Sequence, residues 1–91
     1  MELLTPHARA RMQQRGIRPK DLEALLDYGS ERHTHQDGVE ILFWDKKARA
    51  RVAKRNPAAA RRAGRLRSTY AVLGGDGVVI TVGHRYRRIQ R

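Results

Sequence analysis

The sequence predicts an α+β fold: an N-terminal helical hairpin packed on a small antiparallel sheet of about four strands, with a basic helical insertion before the last hairpin. Three observations predict it. Two early segments begin with proline and end at glycine, Pro6 to Gly16 and Pro19 to Gly29, the punctuation of two short helices. Two pairs of extended runs are joined by turn residues, Gln36-Asp37-Gly38 in one and Gly74-Gly75-Asp76-Gly77 in the other. Between the pairs lies Lys46 to Arg67, rich in Ala, Lys and Arg. With 91 residues the chain has room for one domain and a modest core. Its segments are 1–29 (helical hairpin), 31–45 (first β-hairpin), 46–67 (basic insertion) and 68–91 (C-terminal β-hairpin and basic tail).

Thr5 reads as an N-cap and Pro6 as the first helical residue, where the missing N–H costs nothing. Leu4 can staple onto the first turn. At 100° per residue Ala8 and Met12 form the one apolar stripe of this helix, and His7, Arg11 and Arg15 step along its border at intervals of four. A ridge beside a buried stripe belongs where helix meets sheet. After the Gly16–Arg18 link, Leu22, Leu25 and Leu26 give the second helix a core face, and Asp21 and Glu23 suit the positive end of its dipole.

Glu31 to His35 and Val39 to Trp44 follow as strands. Ile41 and Phe43 fall on one face and Leu42 and Trp44 on the other, so this strand is expected to be covered on both sides. His33 and His35 share a face, but no cysteine and no convincing acid accompanies them, and a solvated strand is expected rather than a metal site. Asp45 then caps a helix through Arg55, and Asn56-Pro57 restarts a second one that Gly64 stops. A rival reading extends the strand, alternating Ala48, Ala50 and Val52 with Lys47, Arg49 and Arg51; alanine is poor in strands, which favours the helices. Thr69 to Leu73 pairs with Val78 to Val82 across the glycine-rich turn. If the pleat of Val78, Ile80 and Val82 continues, His84, Tyr86 and Arg88 share the Ile80 face and Arg85 and Arg87 the other; a bulge at Gly83 would exchange them.

Charge dominates the composition. Twenty Lys and Arg, mostly Arg, stand against nine Asp and Glu, a net charge of +11. That is the footprint of a protein meeting a polyanion, and arginine's planar fork suits phosphate. Lys46 to Arg67 holds ten basic residues and no acid, so it cannot neutralise itself; Lys47 and Arg51 are its candidate phosphate contacts. With no cysteine, disulfide and thiolate chemistry are excluded. No run is long enough for a signal peptide or a membrane span, so a cytoplasmic address is expected. One Trp, one Phe and three Tyr are few for a binder built on exposed aromatic platforms. The glycine-rich turn joins two strands and opens no helix, so it is no nucleotide cradle.

The motifs H-A-R-A-R-M-Q-Q-R-G-I (His7 to Ile17), D-L-E-A-L-L-D-Y-G (ending at Gly29) and V-V-I-T-V-G-H-R (Val78 to Arg85) resemble a small bacterial family catalogued as domain of unknown function 4258. That family is similar to the RelE/ParE-type toxins. The resemblance covers both ends of the chain, and 46–67 is longer than it accounts for. It implies a RelE-like helical hairpin on an antiparallel sheet. Some such toxins cleave RNA without metal; others bind an antitoxin or gyrase. The implied functional positions are His7, Arg11, Arg15 and the end of the last strand near His84.

The function expected is RNA binding, extending to metal-independent endoribonuclease activity of toxin type. That chemistry needs a base for the 2′-hydroxyl, an acid for the leaving oxygen and cations around the phosphorane. His7 and His84 are the candidate acid–base pair, with Tyr86 as a further donor; Arg11, Arg15, Arg85, Arg87 and Arg88 would hold phosphate. On this reading His84→Ala removes cleavage and leaves the melting temperature nearly unchanged. No cofactor and no metal is expected. The alternatives are a non-catalytic nucleic-acid module, RNA being favoured over DNA, or a protein-interaction module for an acidic partner such as an antitoxin.

Overall fold

In a computed structural model describing residues 4–33, 38–65 and 67–85, Thr5 starts the first helix as its side chain requires. Its Oγ1 accepts from the Ala8 N–H at 3.0 Å, and α1 (Pro6–Arg15) ends at Gly16 in the left-handed conformation. The tight link leads into α2 (Pro19–Tyr28), whose first turn is held by Asp21 accepting the Arg18 N–H at 2.9 Å. The strands follow as β1 (Ser30–His33) and β2 (Glu40–Phe43). The basic segment forms two helices, α3 (Lys46–Arg55) and α4 (Pro57–Arg65), and the last hairpin is β3 (Thr69–Leu73) with β4 (Val79–His84).

The strands make one antiparallel sheet in the order β1-β2-β3-β4. The expected α+β fold, with its leading helical hairpin and four strands, is therefore present. Asp45 caps α3 by accepting the Ala48 N–H at 2.8 Å, and Asn56 caps α4 by accepting the Ala59 N–H at 3.2 Å. The strand extension through 46–52 is thereby ruled out. Gly64 does not stop α4, which runs on to Arg65.

Leu22 and Leu25 of α2, Ala48 and Val52 of α3, and Ala59 and Ala63 of α4 share one core with Leu42, Trp44, Ala71, Val79 and Val82 of the sheet. The basic insertion is thus a packed part of the fold, with Ala48, Ala59 and Ala63 inward and Lys46, Lys47, Arg51, Lys54, Arg55 and Arg61 exposed. Phe43 is buried but stands outside that core, on the opposite face of the sheet. β2 is thus covered on both sides, as expected, with Leu42, Phe43 and the following Trp44 all buried. Arginine packs on the Phe43 side, with the Arg85 guanidinium 5.8 Å from the centre of the Phe43 ring.

β4 carries the bulge, but not at Gly83. Val72 pairs with Thr81 and Leu73 with Val79, so Ile80 is the extra residue. The bulge turns both Val79 and Val82 into the core and leaves Ile80 39% exposed, so the simple alternation of Val78, Ile80 and Val82 fails. Beyond it His84 follows the Val82 face and Arg85 the other. No described helix is long and apolar enough to cross a membrane.

Candidate functional site

An edge strand leaves outward carbonyls and N–H groups that need partners. β4 is such an edge, and α1 lies along it because both helix ends are tied to it. At the start, Leu4 bridges Val79 in parallel, the Thr5 N–H donates to the Val79 carbonyl at 3.1 Å, and Thr5 Oγ1 donates to the Ile80 carbonyl at 2.9 Å. At the end, the His84 ring meets the Arg15 carbonyl, Nε2 to O 3.1 Å. Between these ties Ala8 and Met12 are buried. With that stripe turned inward, the ridge of His7, Arg11 and Arg15 comes to lie beside the strand.

The ridge and the strand enclose a cavity of about 300 Å³, walled by His7, Arg11 and Arg15 on one side and by Tyr70 and Thr81 to His84 on the other. His7 and His84, 77 positions apart in sequence, therefore share one site. Among the described residues no carboxylate lines it. Tyr70 is the group that sequence reasoning missed. It stands directly across from Gly83, and a Cβ there would lie 3.0 Å from the Tyr70 hydroxyl oxygen and 3.1 Å from its ring. Only glycine lets the phenol close over the strand and reach the cavity. The signal in the sequence was that glycine, together with the hairpin register, which the bulge concealed.

His84 is held at both ring nitrogens. A carbonyl can only accept, so Nε2 carries the proton that bonds Arg15. Nδ1 lies 3.0 Å from Ser68 Oγ: in the neutral ring it accepts the hydroxyl proton, and in the imidazolium it donates. The ring thus joins the C-terminus of α1, the loop before β3 and the end of β4. Neither nitrogen is poised to take a proton from a substrate without first breaking one of these bonds. Truncating the ring removes two hydrogen bonds at a half-buried position, so His84→Ala is expected to cost about 1–2 kcal/mol, roughly 5–15 °C in melting temperature for a domain this size. A thermal melt checks it; an unchanged midpoint would return His84 to a purely chemical role.

The other candidates are dispersed. Arg85 does not line the cavity: its backbone N–H donates to the Ser68 carbonyl at 2.8 Å, and its Nη2 donates to the Trp44 carbonyl at 3.0 Å on the open face. Lys47 and Arg51 line a different depression, with Arg32 and Phe43, near β1. Tyr86, Arg87 and Arg88 lie outside the described residues, as does His35. Among the described residues, Glu31, His33 and Glu40 are the group whose ligand atoms come within 4.8 Å of one another and could hold a cation; His33 Nδ1 is 3.8 Å from Glu40 Oε1. Glu31 and His33 are exposed on β1, the edge of the sheet opposite β4. Solvated side chains on an edge strand account for them.

The sequence profile of one protein family, described as Domain of unknown function (DUF4258), matches residues 4–84. The matched range takes in the basic segment 46–67 as well as both ends of the chain. No significant match to a curated protein or to a solved structure was found.

Proposed function

The chain belongs to the family described as Domain of unknown function (DUF4258), a description that assigns no activity, and we propose that this member binds RNA through the cavity between α1 and β4. One observation carries the proposal. In a chain of net charge +11, that cavity gathers His7, Arg11, Arg15 and the Tyr70 phenol with no acid among the described residues of its walls. Arginines with hydroxyl and imidazole groups and no competing carboxylate suit a phosphate and its sugar. Shape favours RNA over duplex DNA. The arginines of α1 face a strand across a confined space, whereas reading a major groove needs a helix standing clear of its own domain. A cytoplasmic address fits this role.

The test is equilibrium binding of end-labelled RNA over a range of salt. Arg11→Gln with Arg15→Gln is expected to weaken binding about tenfold and to reduce the slope of log affinity against log salt by about 1.4, two phosphate contacts at roughly 0.7 each. The Arg15 carbonyl that bonds His84 is unaffected by these changes. Binding and slope equal to those of the native protein would sink the proposal.

A second reading, metal-independent cleavage of toxin type with an acidic antitoxin as partner, is favoured by the same cavity, because it sets acid–base groups beside cations. Here His7 and Tyr70 carry the proton transfers and His84 holds the wall. End-labelled RNA incubated in EDTA separates the two readings. Cleavage by the native protein that His7→Ala abolishes is catalysis; retarded but intact RNA is binding alone.

A further inference from the structure

The sheet register connects the α1–β4 cavity to a second one. Ser30 pairs with Phe43, Phe43 with Tyr70, and Tyr70 with Gly83. Direct partners point to the same side of a sheet, so these residues form one row across all four strands. The row lies on the face that carries Phe43, away from the core shared by the helices. At its β4 end, Tyr70 and Gly83 enter the cavity described above. At its β1 end, Ser30 and Phe43 enter a larger depression of about 670 Å³, whose cations are Arg32 from β1 and Lys47 and Arg51 from α3. Arg85, over the Phe43 ring, lies between the two.

The second depression is made for an anion. The Arg32 Nη1 is buried without a hydrogen-bond partner among the described residues, a desolvated cation that favours negative charge nearby. Lys47 and Arg51 are exposed, one helical turn apart, on the same side of α3. Two carboxylates also line it. Asp45 is engaged, accepting from Ser30 Oγ at 2.7 Å and from the Ala48 N–H at 2.8 Å. Among the described residues the lining thus sets three cations against two carboxylates, one of which has an oxygen turned to the helix cap.

We propose that the row Ser30–Phe43–Tyr70–Gly83 is the track of a single RNA strand, gripped by phosphate at the α1–β4 cavity and again at Arg32, Lys47 and Arg51. The proposal rests on the RNA-binding reading and gives that ligand a form and a path. Three inter-strand steps of about 4.8 Å make the row roughly 14 Å long. A stacked strand rises about 3.4 Å per nucleotide and an unstacked one more, so the row spans at most about four nucleotides between the gripped ends. Unstacked bases along the row meet the Tyr70 ring and the Arg85 guanidinium, both surfaces on which a base stacks. A duplex keeps its bases paired inside and offers the row only one backbone at a time, so the track selects single strands.

The experiment is fluorescence anisotropy with labelled single-stranded RNA of eight nucleotides and with a duplex of the same sequence. Native protein is compared with Lys47→Gln/Arg51→Gln and with Lys54→Gln/Arg55→Gln, which removes the same charge from α3 outside the depression. All four side chains are exposed, and a thermal melt confirms that each variant is folded. The track predicts that the native protein prefers the single strand, and that Lys47→Gln/Arg51→Gln weakens it about tenfold and lowers the salt slope by about 1.4. It also predicts a clearly smaller effect from Lys54→Gln/Arg55→Gln. Equal effects of the two variants, no effect of the first, or equal affinity for duplex would overturn the track while leaving RNA binding in place. A native protein that binds neither RNA would overturn both.

Discussion

An Asp21→Ala protein is expected to lose about 2–3 kcal/mol of stability, roughly 10–20 °C in melting temperature. Asp21 is an acid with 4% of its surface exposed in a strongly basic chain, and each of its oxygens has a task. One accepts the Arg18 N–H at 2.9 Å and so starts α2. The other accepts from Arg62 Nη1 at 3.2 Å and so holds α4 against α2. Losing the first bond costs about 1 kcal/mol, the usual value of a cap. Losing the second strands a guanidinium, but the Arg62 side chain is 30% exposed and can turn to water, so the loss falls below the 3–5 kcal/mol of a fully buried pair. Asp21→Asn keeps an acceptor of the same shape and should lose about half as much. A melt of Asp21→Ala that matches the native one would mean that the basic insertion is docked by its alanines alone.

Gly29→Ala should be at least as damaging, about 2–4 kcal/mol. Gly29 closes α2, its N–H donating to the Leu25 carbonyl at 2.8 Å, and β1 begins at the next residue. Its φ of −64° suits any residue, so backbone strain is not the reason for glycine. Space is the reason. A Cβ would lie 2.5 Å from the Leu25 carbonyl oxygen and 2.8 Å from Leu25 Cδ1. A backbone oxygen in a helix cannot swing aside, so either the closing hydrogen bond or the start of the sheet must shift. Gly64→Ala is the matching control. A Cβ there meets nothing within 4 Å, and the residue lies inside α4, so alanine should stabilise by about 0.5–1 kcal/mol. Denaturant titration of the two variants should give opposite signs; the same sign would refute the packing argument.

The parts of the fold that follow local rules were legible in the sequence. Thr5-Pro6, Asp45 and Asn56-Pro57 mark helix starts by chemistry confined to one turn, and each caps a helix where expected. Gly64 misled because glycine in a helix costs only about 1 kcal/mol, which the packing of Ala59 and Ala63 in the turn before it outweighs. The bulge at Ile80 was hidden because period-two reasoning assumes one residue for one partner. An extra residue leaves no mark in a run of Val, Ile and Thr. The two covered faces of β2 could be read from its sequence, but not that an arginine packs over Phe43. In the site, the ridge of His7, Arg11 and Arg15 could be read from a spacing of four. Its meeting with His84 could not, because that depends on α1 lying along the last strand. Nor could the bonds of His84 to Ser68 and to the Arg15 carbonyl, which are made by backbone position and not by residue type.

The tie between Thr5 and Ile80 spans 75 positions, and α1 rests chiefly on β4. The first helix therefore has no surface to settle on until the last strand has been made. Its apolar stripe is only Ala8 and Met12, too little to hold ten residues in a helix alone. Closing so long a loop is an entropic cost met only when β4 joins β3. During synthesis the arginines of α1 are thus scattered along an unstructured segment. They become a site in a single late step, when the two ends of the chain meet. A chain stopped anywhere before β4 would carry most of the positive charge and none of the cavity.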